Sequence, residues 1–172
     1  MEPQVHTWLI HDRLALAERP GGGGRSHRIT RRTAELEWWK QQGIRTVVST
    51  HPARTGLLDA ALAGFAVEWH PLRSEDEAGA SLQELAMAVE ARLDDERESI
   101  LVHCDRPGEW LTAVGAVLSA HLGCTDGPRD ALADMRSRGL VVGSLAIRLV
   151  STWEEGHASP PVPAHPAIAS DG

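Results

Sequence analysis

Two short runs, Arg45–Ser49 (RTVVS) and Ser99–His103 (SILVH), are apolar without the alternation of a half-solvated strand. A strand of this kind must be covered on both faces, which is the situation in a parallel sheet packed between helices. Ala66–Leu72 reads as a further strand, and Val5–Ile10 and Leu14–Ala17 as two short ones split by a turn at His11-Asp12-Arg13. Helical patterns fall between them. Thr33–Gln42 is stopped by Gly43, and Leu57–Ala63 is short. Ser81-x-x-Glu84 has the form of a capping box, followed by Leu82, Leu85, Ala86, Val89 and Leu93 at helical spacing. Helices are also expected over Leu111–Leu122, from Asp126 and Pro128 onward, and over Ser144–Glu154. Strands alternating with helices predict one α/β domain over residues 1–155, with a central, mostly parallel sheet flanked by helices on both faces. Residues 156–172 are rich in Pro, Ala and Ser without periodicity, and a disordered tail is expected there.

Composition narrows the partners. A formal charge of −7 argues against a general nucleic-acid binder, because phosphate backbones attract basic surfaces. No run approaches eighteen apolar residues, so no membrane span is expected. The opening Met-Glu-Pro-Gln has neither the basic nor the apolar region of a signal peptide, and two cysteines make no disulfide framework. A reduced, cytoplasmic setting is the expectation. The nine histidines show no zinc-type spacing with cysteine, and Gly21–Gly24 lacks the GK[ST] ending of a nucleotide-binding loop. No metal and no cofactor are expected. Trp38 and Trp39 are adjacent on a helix and cannot both face one core, which predicts one of them exposed as a contact residue.

The chemistry centres on Cys104. It follows an apolar strand and leads through Gly108 to a helix near Leu111. Ligands of open α/β sheets bind outside the carboxyl ends of the strands, where this loop lies. The unpaired N–H groups and positive end of the following helix stabilise a thiolate and can cradle phosphate oxygens. The same position also suits a small, buried, inert cysteine.

Across about residues 7–150 the chain resembles the small atypical dual-specificity phosphatases of the cysteine-dependent phosphatase superfamily. The blocks that carry the likeness run in the family's order. They are Trp8–Leu14 with Arg19-Pro20-Gly21; Trp39, Gly43-Ile44 and Val47-Val48-Ser49; His70, Leu72, Asp76 and Ser81-Leu82; His103-Cys104; and Arg138-Gly139-Leu140-Val141. The resemblance implies that Cys104 attacks phosphorus as a thiolate and that Asp76 protonates the leaving oxygen. It implies that His103 and Thr112 tune the thiolate. The phosphate-binding loop would run through Asp105, Arg106, Pro107, Gly108, Glu109, Trp110 and Leu111. Without the family, Asp76 reads as acidic charge at a helix N-terminus.

The departure from the family is an arginine. Six residues after Cys104, where the family has it, this chain has Trp110; with one residue inserted, Leu111 takes the place. That arginine grips two phosphate oxygens in a planar, bidentate way which neither residue reproduces. Arg106, or the cluster Arg25, Arg28, Arg31 and Arg32, is the candidate substitute. The leading expectation is a catalytically impaired, phosphatase-like domain that binds a phosphorylated protein or a small phosphorylated ligand. The alternative is an active phosphatase with a remodelled loop, using Cys104 and Asp76. A rhodanese-like sulfurtransferase, which also sets a cysteine after a strand, is the third reading.

Overall fold

The computed structural model describes residues 1–22, 29–54, 56–105 and 108–157. Strands β1 (His6–Ile10), β2 (Leu14–Glu18), β3 (Thr46–Ser49), β4 (Ala66–Trp69) and β5 (Ile100–Cys104) form one sheet in the order β1-β2-β5-β3-β4. Only β1 runs antiparallel to its neighbour; β2, β5, β3 and β4 pair in parallel. The helices among the described residues are α1 (Ile29–Gln41), α2 (Leu57–Leu62), α3 (Glu75–Leu93), α4 (Glu109–His121), α5 (Pro128–Ser137) and α6 (Ser144–His157).

Side-chain alternation divides the core into two layers. Leu14, Leu16, Val48, Ile100, Val102 and Cys104 point to one side, where they meet α3, α4, α5 and α6. Ala15, Ala17, Val47 and Leu101 point to the other, against Leu36 and Trp39 of α1 and Ala60 of α2. The expected helices on both faces are present, and β5, paired on both edges, is buried along its whole length. Helix α4 is apolar all round because it lies between the sheet and the outer helices; Leu111 through Ser119 are all buried.

Element ends differ from the sequence reading for physical reasons. Strand β4 stops at Trp69 rather than Leu72, since Pro71 has no N–H to give a ladder. Helix α1 begins four residues earlier than expected, at Ile29. Helix α3 begins at Glu75 after Ser74, so Ser81-x-x-Glu84 lies inside it; Glu75, Asp76 and Glu77 form its acidic first turn, favourable against the helix dipole. Gly127, not Asp126, caps α5. Helix α6 runs through Gly156 to His157, past the expected domain end, and the rest of the predicted tail lies outside the described residues. Trp39 is fully buried, while Trp38 is half-buried and packs edge-on against it at 4.7 Å. No described helix is long and apolar enough to cross a membrane.

One close approach sets how α4 sits on the sheet. A Cβ on Gly115 would fall 2.5 Å from Met135 Sδ and 2.6 Å from Leu16 Cδ1. Gly115→Ala is therefore expected to destabilise the fold by about 1–3 kcal/mol in chemical denaturation, as overpacking does. Gly156→Ala, whose added Cβ meets nothing within 4 Å, should instead stabilise α6 by about 0.4–1 kcal/mol.

Candidate active site

The carboxyl ends of β5, β2 and β3 converge on Cys104. Arg19 N–H donates to the Cys104 carbonyl at 2.8 Å, and Thr50 N–H donates to the His103 carbonyl at 3.0 Å. These bonds carry the parallel ladders one step past the strand ends. They bring Arg19, Thr50 and His51 around the cysteine. The result is a cleft of about 270 Å³ lined by Thr50, His51, Pro52, Leu72, Arg73, Cys104, Asp105 and Trp110.

Cys104 lies at its floor, 2% exposed. Thr50 Oγ1 is 3.0 Å from Cys104 Sγ and 3.0 Å from the His103 carbonyl oxygen. A neutral thiol satisfies both contacts, because S–H donates to the hydroxyl oxygen while the hydroxyl donates to the carbonyl. A thiolate would draw the single hydroxyl proton to sulfur and leave the carbonyl without it. Burial pushes the thiol up to about 12; the Thr50 contact works against this, and the Asp105 carboxylate adds to it. Cys104 is therefore protonated at neutral pH.

Asp105, next in the chain, has its Oδ1 3.2 Å from Arg19 Nη1 and its Oδ2 3.2 Å from His51 Nε2. Arg19 is further fixed by its Nε and Nη2, which donate to the Gly22 carbonyl at 3.3 and 3.2 Å. At the rim, the guanidiniums of Arg54 and Arg73 lie over the Trp69 ring, 4.5 and 5.6 Å from its centroid. Trp69 Nε1 donates to the His51 carbonyl at 2.9 Å, which ties this rim to the β3 end.

Several residues singled out by sequence have other neighbours. Asp76 faces α6: it borders surface hollows with Thr152, Gly156 and His157, and with Arg148, and it does not line the Cys104 cleft. Thr112 donates to the carbonyls of Val141, at 2.7 Å, and Gly108, at 3.1 Å; the hydroxyl on the cysteine is Thr50's. Glu109 Oε2 accepts from Ala146 N–H at 3.0 Å, so it serves the first turn of α6 and locks that helix to α4. Leu111 is fully buried in the core, whereas Trp110 lines the cleft, which gives the arginine's place at the pocket to tryptophan. Arg106, Pro107, Arg25 and Arg28 lie outside the described residues. Arg31 is engaged with Glu18 and Glu35, and Arg32 with Asp59. His103 points to the opposite face of β5 and is buried; desolvation, with the charges of Arg19 and His51, pushes it down to about 3.

Cys124 is exposed beyond the far end of α4, a helix of thirteen residues and so about 20 Å long. A disulfide needs Cα atoms within about 7 Å, so the two cysteines do not pair. No group of His, Cys, Asp and Glu that could hold a metal occurs among the described residues. Thr50, His51 and Arg19 were the site residues missing from the sequence reading. The rule that selected the loop after β5 also selects the residues after β3 and β2, once those strands are known to be its neighbours.

No family model matches the sequence, and no curated protein matches it. Solved structures do. Tk-PTP in its active form superposes with a TM-score of 0.66 at 18% identity, covering 88% of this chain and 97% of that one. Kinase associated phosphatase with its catalytic-site cysteine replaced by serine gives 0.62 at 21% identity, covering 91% and 95%. Human DUSP28 gives 0.61 at 16% identity, covering 88% and 97%. The chain has the fold of these cysteine-dependent phosphatases.

Two measurements check the electrostatics. Iodoacetamide at neutral pH should alkylate exposed Cys124 well ahead of Cys104 in the native protein, and Thr50→Val should slow Cys104 further, as site-resolved mass spectrometry would show. His103 is neutral in the fold down to about pH 3, whereas in the unfolded chain it takes a proton near 6.5. Its contribution to stability is thus complete above about 6.5 and is lost as pH falls toward 3. Chemical denaturation across that window should show a steeper acid loss in the wild type than in His103→Asn.

Proposed function

We propose that the Cys104 cleft binds a phosphorylated ligand, on a protein or a small molecule, and hydrolyses it slowly or not at all. The observation that carries this reading is Trp110 in the cleft wall, where the phosphatases place an arginine that grips phosphate. An aromatic ring offers no bidentate donor there. Losing one preorganised donor of this kind typically costs about two to three orders of magnitude in rate.

Three further features support it. The nucleophile is a buried thiol rather than a thiolate. Asp76 is turned toward α6, and the carboxylate lining the cleft is Asp105, engaged by Arg19 and His51. Binding nevertheless has its means: the cleft lies at the N-terminal end of α4, and Arg73 lines it. Apolar walls from Pro52, Leu72 and Trp110 suit the organic part of a phosphomonoester.

Hydrolysis of a small aryl phosphate tests the reading. Wild type and Cys104→Ser are expected to be equally slow, while Trp110→Arg should raise turnover by about a hundredfold. Leu111→Arg should unfold the protein rather than rescue it, because Leu111 is wholly buried. Robust wild-type turnover that disappears in Cys104→Ser would sink the proposal.

A further inference from the structure

The cleft contains an anion of its own. The Asp105 carboxylate lies between a guanidinium and an imidazole, each 3.2 Å away, beside the Cys104 thiol. Neither cation depends on Asp105 for its place. Arg19 is 10% exposed and is fixed from behind by the Gly22 carbonyl and by its own N–H to Cys104. His51 Nδ1 lies against Ala53, 2.9 Å from its N–H and 2.7 Å from its carbonyl oxygen. A carboxylate carries no proton, so His51 Nε2 must donate to it. An N–H fork on one side and an imidazole N–H on the other, held in place beside a strand end, form the donor set that a tetrahedral oxyanion needs. In this chain the donors hold Asp105.

We propose that Asp105 is a built-in competitor for the phosphate position: an incoming phosphate reaches Arg19 and His51 only by displacing the carboxylate. This rests on the reading of the Cys104 cleft as a phosphate site and names what sets its selectivity. A free inorganic anion must overcome like-charge repulsion and break both ion pairs with nothing gained elsewhere. A phosphomonoester adds contacts with Pro52, Leu72 and Trp110, and with Arg73 at the rim. Asp105 thereby screens out inorganic phosphate and leaves the cleft to organic phosphates. The upward push of Asp105 on the Cys104 thiol agrees with this placement.

The experiment is calorimetric titration of inorganic phosphate and of phenyl phosphate into wild type, Asp105→Asn and Asp105→Glu, with thermal unfolding to confirm folded protein. Wild type should bind phenyl phosphate more tightly than inorganic phosphate. Asp105→Asn should tighten inorganic phosphate by about tenfold or more and narrow the gap between the ligands, whereas Asp105→Glu, which keeps the charge, should behave as wild type. Adding Arg19→Gln to Asp105→Asn should remove the gain. In parallel, Cys104 alkylation at fixed pH should be faster in Asp105→Asn, which reads the carboxylate's effect without any ligand. If wild type binds phenyl phosphate and folded Asp105→Asn binds inorganic phosphate no more tightly, the competitor role is overturned while the phosphate site stands. If neither protein binds either ligand, both ideas fall. Should Asp105→Asn not fold, Asp105→Ser takes its place with the same expected tightening, and its absence overturns the proposal.

Discussion

The parallel pairing of β5 with β2 on one edge and β3 on the other is the constraint on which the rest of the structure depends. It buries β5 completely, so the strand carries aliphatic residues on both faces until it reaches His103 and Cys104. The pairing also continues past the strand ends, through Arg19 N–H to the Cys104 carbonyl and Thr50 N–H to the His103 carbonyl. Ladder geometry alone thus delivers a guanidinium from one side and a hydroxyl and imidazole from the other. Backbone hydrogen bonds in a buried sheet are costly to leave unmade, so this placement is rigid.

Alternation along the same strand assigns opposite fates to two neighbours. Cys104 faces the α4 layer and opens to the cleft, while His103 faces the α1–α2 layer and is desolvated. Both are held neutral by burial. The ionic character of the site resides instead in Asp105, Arg19 and His51, which neutralise one another around the thiol. A site arranged this way has the shape of a phosphate cradle and the electrostatics of a resting, self-occupied one.

Much of the fold was legible in sequence because its signals are local. Unalternating runs at Arg45–Ser49 and Ser99–His103 identify buried parallel strands, and helix α4 declares itself by apolar residues on every side. The errors came where a local pattern had two placements. Ser81-x-x-Glu84 is a capping box in form, yet Ser74-x-x-Glu77 stands at the real start, since the buried face of α3 already begins at Ala78. Asp76 sits at a family-like spacing, but the helix that carries it turns the carboxylate toward α6. Thr112 is near Cys104 in sequence and bonded elsewhere, while Thr50, fifty-four residues away, is on the sulfur.

The sequence by itself determined the class of fold, the position of Cys104 at a strand end before a helix, and the absence of arginine at the two positions six and seven residues beyond it. These follow from periodicity and from residue identity, which need no knowledge of neighbours. Only the tertiary structure decided which of Trp110 and Leu111 faces the cleft, which hydroxyl meets the thiol, and that Asp105 lies between Arg19 and His51. The reason is physical: strand order and register bring those residues together across long stretches of chain, and burial then sets their charge.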